Sequence, residues 1–268
     1  MDARRAAMSD IEITDDEGVC CIAINRPESK NGLTDSVNAR IIEALQGAAA
    51  LPAIRCVVLT GKGGNFCSGL DLKALAAGGM GSLDSAEEHL QKYFHGMIRA
   101  VRELPKPVIA LVDGAAVGYG CDLALACDIR IGTERTRFGE VFVKRGLMPD
   151  GGGTWSLPRL VGVGKALELM FTGDLVDAAT AERLGLLNRI VASPEALAQT
   201  LELARRIAAG PPLVHAWIKR AVYDAQSTTL DEALDVEARG QLALLHSKDF
   251  LEGISAFFQK RAPNFTGE

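Results

Sequence analysis

No apolar run in this chain approaches the ~20 residues of a membrane span, which excludes a helical membrane anchor. The first residues, Met1 to Met8, contain Arg4 and Arg5 but no following apolar segment, so no secretory signal is expected. Six cysteines, at positions 20, 21, 56, 67, 121 and 127, show no C-x-x-C spacing and sit in apolar runs. Buried free thiols in a reducing cytoplasm are expected, rather than a disulfide framework or a zinc site. The four histidines, His89, His95, His215 and His246, fit no ligand or base spacing and read as helix residues. A formal net charge of −5 gives no global attraction to nucleic acid or an anionic membrane, so an anionic ligand needs a local basic cluster. Nucleotide motifs are missing too. In Gly61-Lys62-Gly63-Gly64-Asn65-Phe66 the third glycine of a dinucleotide fingerprint is absent, and the lysine precedes the glycine pair instead of closing a phosphate loop.

What remains is the composition of a soluble globular enzyme of 268 residues, 48% hydrophobic and 24% charged, long enough for one large domain or two. Residues 18–24, 54–60, 108–112 and 128–132 read as strands, the second nearly all apolar and therefore buried. Thr34 is a candidate N-cap for an alanine-rich helix that ends before Pro52. A single helix is expected over 86–104, preceded by a glycine-rich surface loop over 74–85. Beyond Val163 the chain reads as helical, in segments 163–171, 177–185, 195–209, 213–226, 230–246 and 248–260. Strands mixed with helices followed by helices alone predict an α/β core with a helical C-terminal part.

Two stretches have the residue types of a site. Val112 to Ala126 runs from an apolar strand through Gly114, Gly118 and Gly120 to Asp122, which sits at the start of an apolar helix. Such a turn brings backbone close to a ligand and aims free N–H groups at it. It equally describes an ordinary strand-to-helix turn with an acid where acids are favoured. The second stretch, Gly146 to Trp155, wedges Asp150 between Pro149 and three glycines; turn statistics alone make it a turn residue or N-cap. Glu140, two residues before Phe142, would share its face if the segment were extended, but by default it reads as a structural or surface residue.

Five segments together carry a resemblance: Asn25 to Leu33, Phe66 to Leu72, Gly114 to Asp128, Gly146 to Leu160, and Glu252 to Arg261. In this order and spacing the chain resembles the enoyl-CoA hydratase/isomerase (crotonase) superfamily along nearly its whole length. The resemblance implies an α/β spiral of ββα repeats with a C-terminal helical trimerisation region. On that basis 1–195 is the acyl-CoA-binding core and 196–268 the oligomerisation region of a homotrimer or dimer of trimers. It implies an acyl-CoA thioester substrate, processed through an enolate, with coenzyme A as part of the substrate and no separate cofactor or metal. The backbone N–H groups of Leu70 and Tyr119 would form the oxyanion hole. Tyr119 departs from the usual glycine, so its ring must point away from the thioester or line the acyl pocket. Arg26, Ser68 (through its backbone) and Lys73, with Phe257 and Lys260 of the last helix, would contact coenzyme A. Charge pattern alone would leave Lys73 and Lys260 on solvated helix faces.

The family's hydratases use glutamates at the positions of Asp122 and Phe142, and the second is here an apolar ring, for which Glu140 on the same face of an extended segment would be a partial substitute. Asp150 instead falls at the site of a catalytic aspartate in the dienoyl-CoA isomerases and in the aryl-CoA dehalogenase branch. Its setting resembles the ring-epoxide phenylacetyl-CoA isomerase branch. The resemblance therefore implies a proton-shifting isomerase with Asp150 as base and Asp122 as partner. A hydratase with an unusual Asp pair, or a non-catalytic acyl-CoA-binding relative, are the alternatives. Dehalogenation is set aside because that branch's aromatic residues have no match here.

Overall fold

The computed structural model describes residues 9–76 and 86–268. Two sheets divide the strands. A six-stranded sheet has the order β1 (Ile11–Asp16), β2 (Val19–Ile24), β3 (Cys56–Gly61), β4 (Val108–Val112), β6 (Ile129–Thr133), β9 (Arg189–Val191), while β5 (Ala115–Val117), β7 (Arg137–Gly139) and β8 (Val176–Asp177) form a smaller one. In the large sheet only β1–β2 is antiparallel. The chain feeds the sheets alternately: β4 enters the large one and β5 the small one, then β6 and β7 repeat the step. That alternation, with a helix after each turn, is the expected ββα spiral.

The helices are α1 (Asp35–Ala50), α2 (Leu72–Ala76), α3 (Ala86–His89), α4 (Gly96–Glu103), α5 (Tyr119–Ala126), α6 (Gly153–Val161), α7 (Val163–Thr172), α8 (Ala178–Arg183), α9 (Ala196–Ala208), α10 (Pro212–Asp224), α11 (Leu230–Leu245) and α12 (Lys248–Gln259). Thr34 does cap α1, its side chain accepting from the Val37 amide. A buried parallel sheet needs apolar cover on both faces. One face of the large sheet packs with α1, α4 and α5, through residues such as Leu59, Ile41, Val101 and Leu123. The other face, including Val58, Ile109 and Ile131, is covered by Ala196, Ala204 and Ala208 of α9. Helix α9 thus lies on the sheet, although it is C-terminal to residue 195.

Three expectations change. The expected 86–104 helix is not uniform: a π-helical turn, Leu90–His95, separates α3 from α4. Strand β1 was not visible in the sequence because its outer residues are acidic and exposed, as suits an edge strand. Residues 77–85 of the expected surface loop lie outside the described residues, and residues 72–76 form α2 instead.

Candidate active site

The site is assembled where the loop before α2 crosses the β5–α5 turn. Leu33 and Leu70 pair as a parallel bridge, with the Leu33 amide donating to Gly69 O (2.8 Å) and the Asp71 amide to Leu33 O (2.9 Å). Those bonds use the groups on either side of Leu70 and turn its own N–H to the opposite side, where β5 and α5 lie. Cys67 closes that side, bridging Ala116 and accepting from the Val117 amide at 3.1 Å. Gly69 permits the crossing: its φ is +82°, and a methyl group there would sit 2.8 Å from Val117 O and 3.2 Å from Tyr119 N. Tyr119 is the first residue of α5, so its N–H is among those without an intrahelical acceptor. The fold therefore brings the Leu70 and Tyr119 amides onto adjoining segments.

Of the two places expected for the Tyr119 ring, away from the thioester or lining the acyl pocket, the ring lies against Gly151, beside Asp122 and Asp150. It is buried, its hydroxyl donates to Phe94 O at 2.6 Å, and it meets the Phe94 ring edge-on at 4.9 Å. Asn31 fastens the first loop to the second. Fully buried at φ +60°, it accepts from the Arg26 amide (2.9 Å) and donates to Lys62 O (2.8 Å) and Asn65 O (2.6 Å).

Three carboxyl groups gather behind the junction. Asp122 is 1% exposed; its Oδ2 accepts from the Gly151 amide at 2.8 Å, and its Oδ1 has no partner. Glu140 is 2% exposed and neither of its oxygens has a partner. Of the two default readings, structural or surface, this burial rules out the second. Glu140 does not share an extended face with Phe142 either, because a 3-10 turn, Val141–Arg145, begins directly after it. That turn swings Phe142 towards Gly118 and leaves Glu140 pointing at Asp122. A methyl group on Gly153 would overlap Asp122 Oδ1 and come within 3.0 Å of Glu140 Oε1, so both carboxyls abut one point that only glycine leaves open. Asp150 is half-buried, with an unpartnered Oδ1.

Burial penalises charge on all three. It pushes Asp122 well above the usual carboxylate range, reinforced by the charge of Glu140. It pushes Glu140 up to about 7, with Asp150 adding to the effect. Asp150 is raised by burial and held back in part by His95, which the sequence had offered only as a helix residue.

The residues proposed for coenzyme A are spread out. The Arg26 guanidinium binds Gly32 O and Asp71 (3.0 Å), so its charge is committed within the loop. The Ser68 amide is likewise used, donating to Lys30 O at 3.0 Å. Lys73 is exposed on α2 beside them. Phe257 is 77% exposed on α12, where Lys260 is the C-cap, and α12 packs against α11.

Glu140 is the site residue that the sequence offered only as a partial substitute for the missing glutamate. Its one signal is the unbroken Gly151-Gly152-Gly153, which vacates the space a buried acid would fill.

Residues 14–268 match the family model described as enoyl-CoA hydratase/isomerase. A 1,2-epoxyphenylacetyl-CoA isomerase of Escherichia coli K12 is 38% identical over 254 residues, covering 94% of this chain and 97% of that one. A probable enoyl-CoA hydratase of Rhodobacter capsulatus is 38% identical over 251 residues, covering 94% and 95%. The crystal structure of an enoyl-CoA hydratase from Bacillus anthracis superposes with a TM-score of 0.92 at 32% identity, over 97% of this chain and 100% of that one. The chain belongs to the enoyl-CoA hydratase/isomerase family.

Proposed function

We propose that this acyl-CoA-processing family member is an enoyl-, dienoyl- or ring-acyl-CoA isomerase. The thioester oxygen lies between the Leu70 and Tyr119 amides. Each such donor stabilises a developing oxyanion by roughly 2.7–4 kcal/mol in comparable sites. Asp150 removes a proton from the acyl chain and returns it to another carbon, and Asp122 on the opposite side orients the chain. A base that must both take and give a proton works best with a pKa raised towards neutrality, as burial does to Asp150. The observation that carries the reading is Phe142: its buried ring lies 4.0 Å from where a methyl on Gly118 would sit, beside the α5 N-terminus. By the family resemblance a hydratase has a glutamate there to handle the attacking water.

Coenzyme A enters as part of the substrate, so no separate cofactor is proposed. Lys73 contacts its phosphates, the Arg26–Asp71 pair shapes the loop that receives it, and the Ser68 carbonyl faces its adenine. Phe257 and Lys260 act on the nucleotide of a neighbouring subunit in a homotrimer or dimer of trimers, located in the cytoplasm.

The test is Asp150→Asn with enoyl-, dienoyl- and aryl-CoA substrates, following double-bond position and water addition separately. Isomerisation is expected to fall about 10²–10⁴-fold, the usual worth of a positioned base. Unchanged turnover would sink the assignment. A second reading, hydration, is favoured by Glu140, which places another carboxyl beside Asp122. Hydration at full rate in Asp150→Asn, without isomerisation in the wild type, would select it.

A further inference from the structure

Glu140 has no place in the scheme above, yet it is nearly as enclosed as Asp122, and neither of its oxygens finds a hydrogen-bond partner of normal geometry. A carboxylate only accepts, and Asp122 Oδ1, which abuts the same point beside Gly153, is an unpartnered acceptor as well. Two acceptors facing each other in a buried site repel, unless one carries a proton and becomes a donor to the other. Among the described residues, no lysine or arginine is a main influence on the pair. The groups around it are the Cys121 thiol on α5, the Gly151 amide on Asp122 Oδ2, and Asp150 ahead of α6, itself faced by His95. Cys121 is held protonated by burial and by the charge of Glu140, so its thiol stands beside Glu140 as a weak donor and not as a competing anion.

We propose that Glu140 is a positioning residue that shares one proton with Asp122, so that Asp122 faces the acyl chain as half of a singly charged acid pair. This rests on the isomerase reading. It also explains the division of labour within it: with the pair already holding its proton, Asp150 is the group left to accept the one removed from the substrate. The shared proton is not consumed. It fixes the Asp122 carboxyl against the Gly151 amide and keeps a second full negative charge away from the enolate. Like-charged carboxyls at one site titrate as a unit, so the pair should release its proton in a step that belongs to both residues.

The test needs no substrate at first. Infrared difference spectra of the wild-type protein, taken as the pH rises from about 5 to about 9, should show a buried carboxylic-acid band that disappears in the neutral-to-alkaline part of the range. Glu140→Gln and Asp122→Asn should each remove that band or move its midpoint by about one pH unit or more, a tenfold change in proton affinity. In kinetics, the alkaline limb of kcat/KM should shift by the same amount in Glu140→Gln, with KM little changed, and Glu140→Asp should restore part of the wild-type profile. A purely structural glutamate would lower the yield of folded protein without moving either limb. Absence of the acid band from the wild type, or Glu140→Gln profiles that superpose on it, would overturn the shared proton. Because the spectra are independent of turnover, they separate this outcome from failure of Asp150 as the base.

Discussion

Glu140 ties folding stability to pH in a direction opposite to that of a surface salt-bridged acid. Its carboxyl titrates near its ordinary 4.5 in the unfolded chain, and burial pushes it up to about 7 in the fold, where it titrates together with Asp122. Between those values the folded state binds more protons than the unfolded one, so stability is fully present below about pH 4.5 and is lost as the pH rises towards 7. Thermal melts are expected to give a higher Tm near pH 5 than near pH 8, with a shallower slope in Glu140→Gln; equal slopes would show that Glu140 does not titrate in this window. At lower pH a different group takes over: Glu252 is held down to about 2 by Arg261, and its stabilisation fades only as the pH falls towards that value. None of this was legible in the sequence. Position 140 looked like any charge after a short strand, because its burial depends on a turn that three later glycines make possible.

At the scale of elements, the π-helical turn and α5 are joined by one hydrogen bond, Tyr119 to Phe94 O. The wide turn presents that carbonyl to a neighbouring helix, a use often found for such turns near functional sites. Tyr119→Phe removes the bond but keeps the ring and the backbone N–H. The expected cost is about 1 kcal/mol of stability, read by denaturant titration, with kcat within about twofold of the wild type. A large loss of kcat would mean that the hydroxyl acts on substrate. Continuous apolar runs such as Val108–Val112 could be read as buried strands because every residue is enclosed. Strands β5, β7 and β8 span only two or three residues each, too few for alternation to register. The π turn escaped for a related reason, since helical periodicity over 86–104 tolerates one widened turn.

Across the whole molecule, apolar side chains are left uncovered on the last helices: Leu230 is 73% exposed, Leu251 66%, and Phe257 and Phe258 77% each. Large apolar side chains left bare together on neighbouring helices suit an interaction surface. The proposed trimer would cover it, and sedimentation at micromolar concentration should give a trimer or hexamer. Replacing both Phe257 and Phe258 by Asp is expected to yield smaller species and to raise KM for acyl-CoA with less effect on kcat. A stable wild-type monomer would remove the basis for a CoA site shared between subunits. The helical C-terminal part was evident from composition, but which faces stay bare was not, because that depends on how α10, α11 and α12 pack in three dimensions.

Asn31 has a bearing on how long the enzyme lasts. It is followed by Gly32, and with no side chain on the next residue its amide is unusually open to attack by the following backbone nitrogen. That ring closure would turn asparagine into aspartate. Here the reaction is blocked in the folded state, because the Gly32 nitrogen donates to Ser29 O at 3.2 Å and the Asn31 side-chain amide is pinned by two carbonyls. An aspartate in its place would direct negative charge at those same carbonyls and release the loop that aims Leu70. Chemical ageing is thus coupled to unfolding: each excursion from the native state exposes a clock that, once advanced, opens the loop beneath the proposed oxyanion hole.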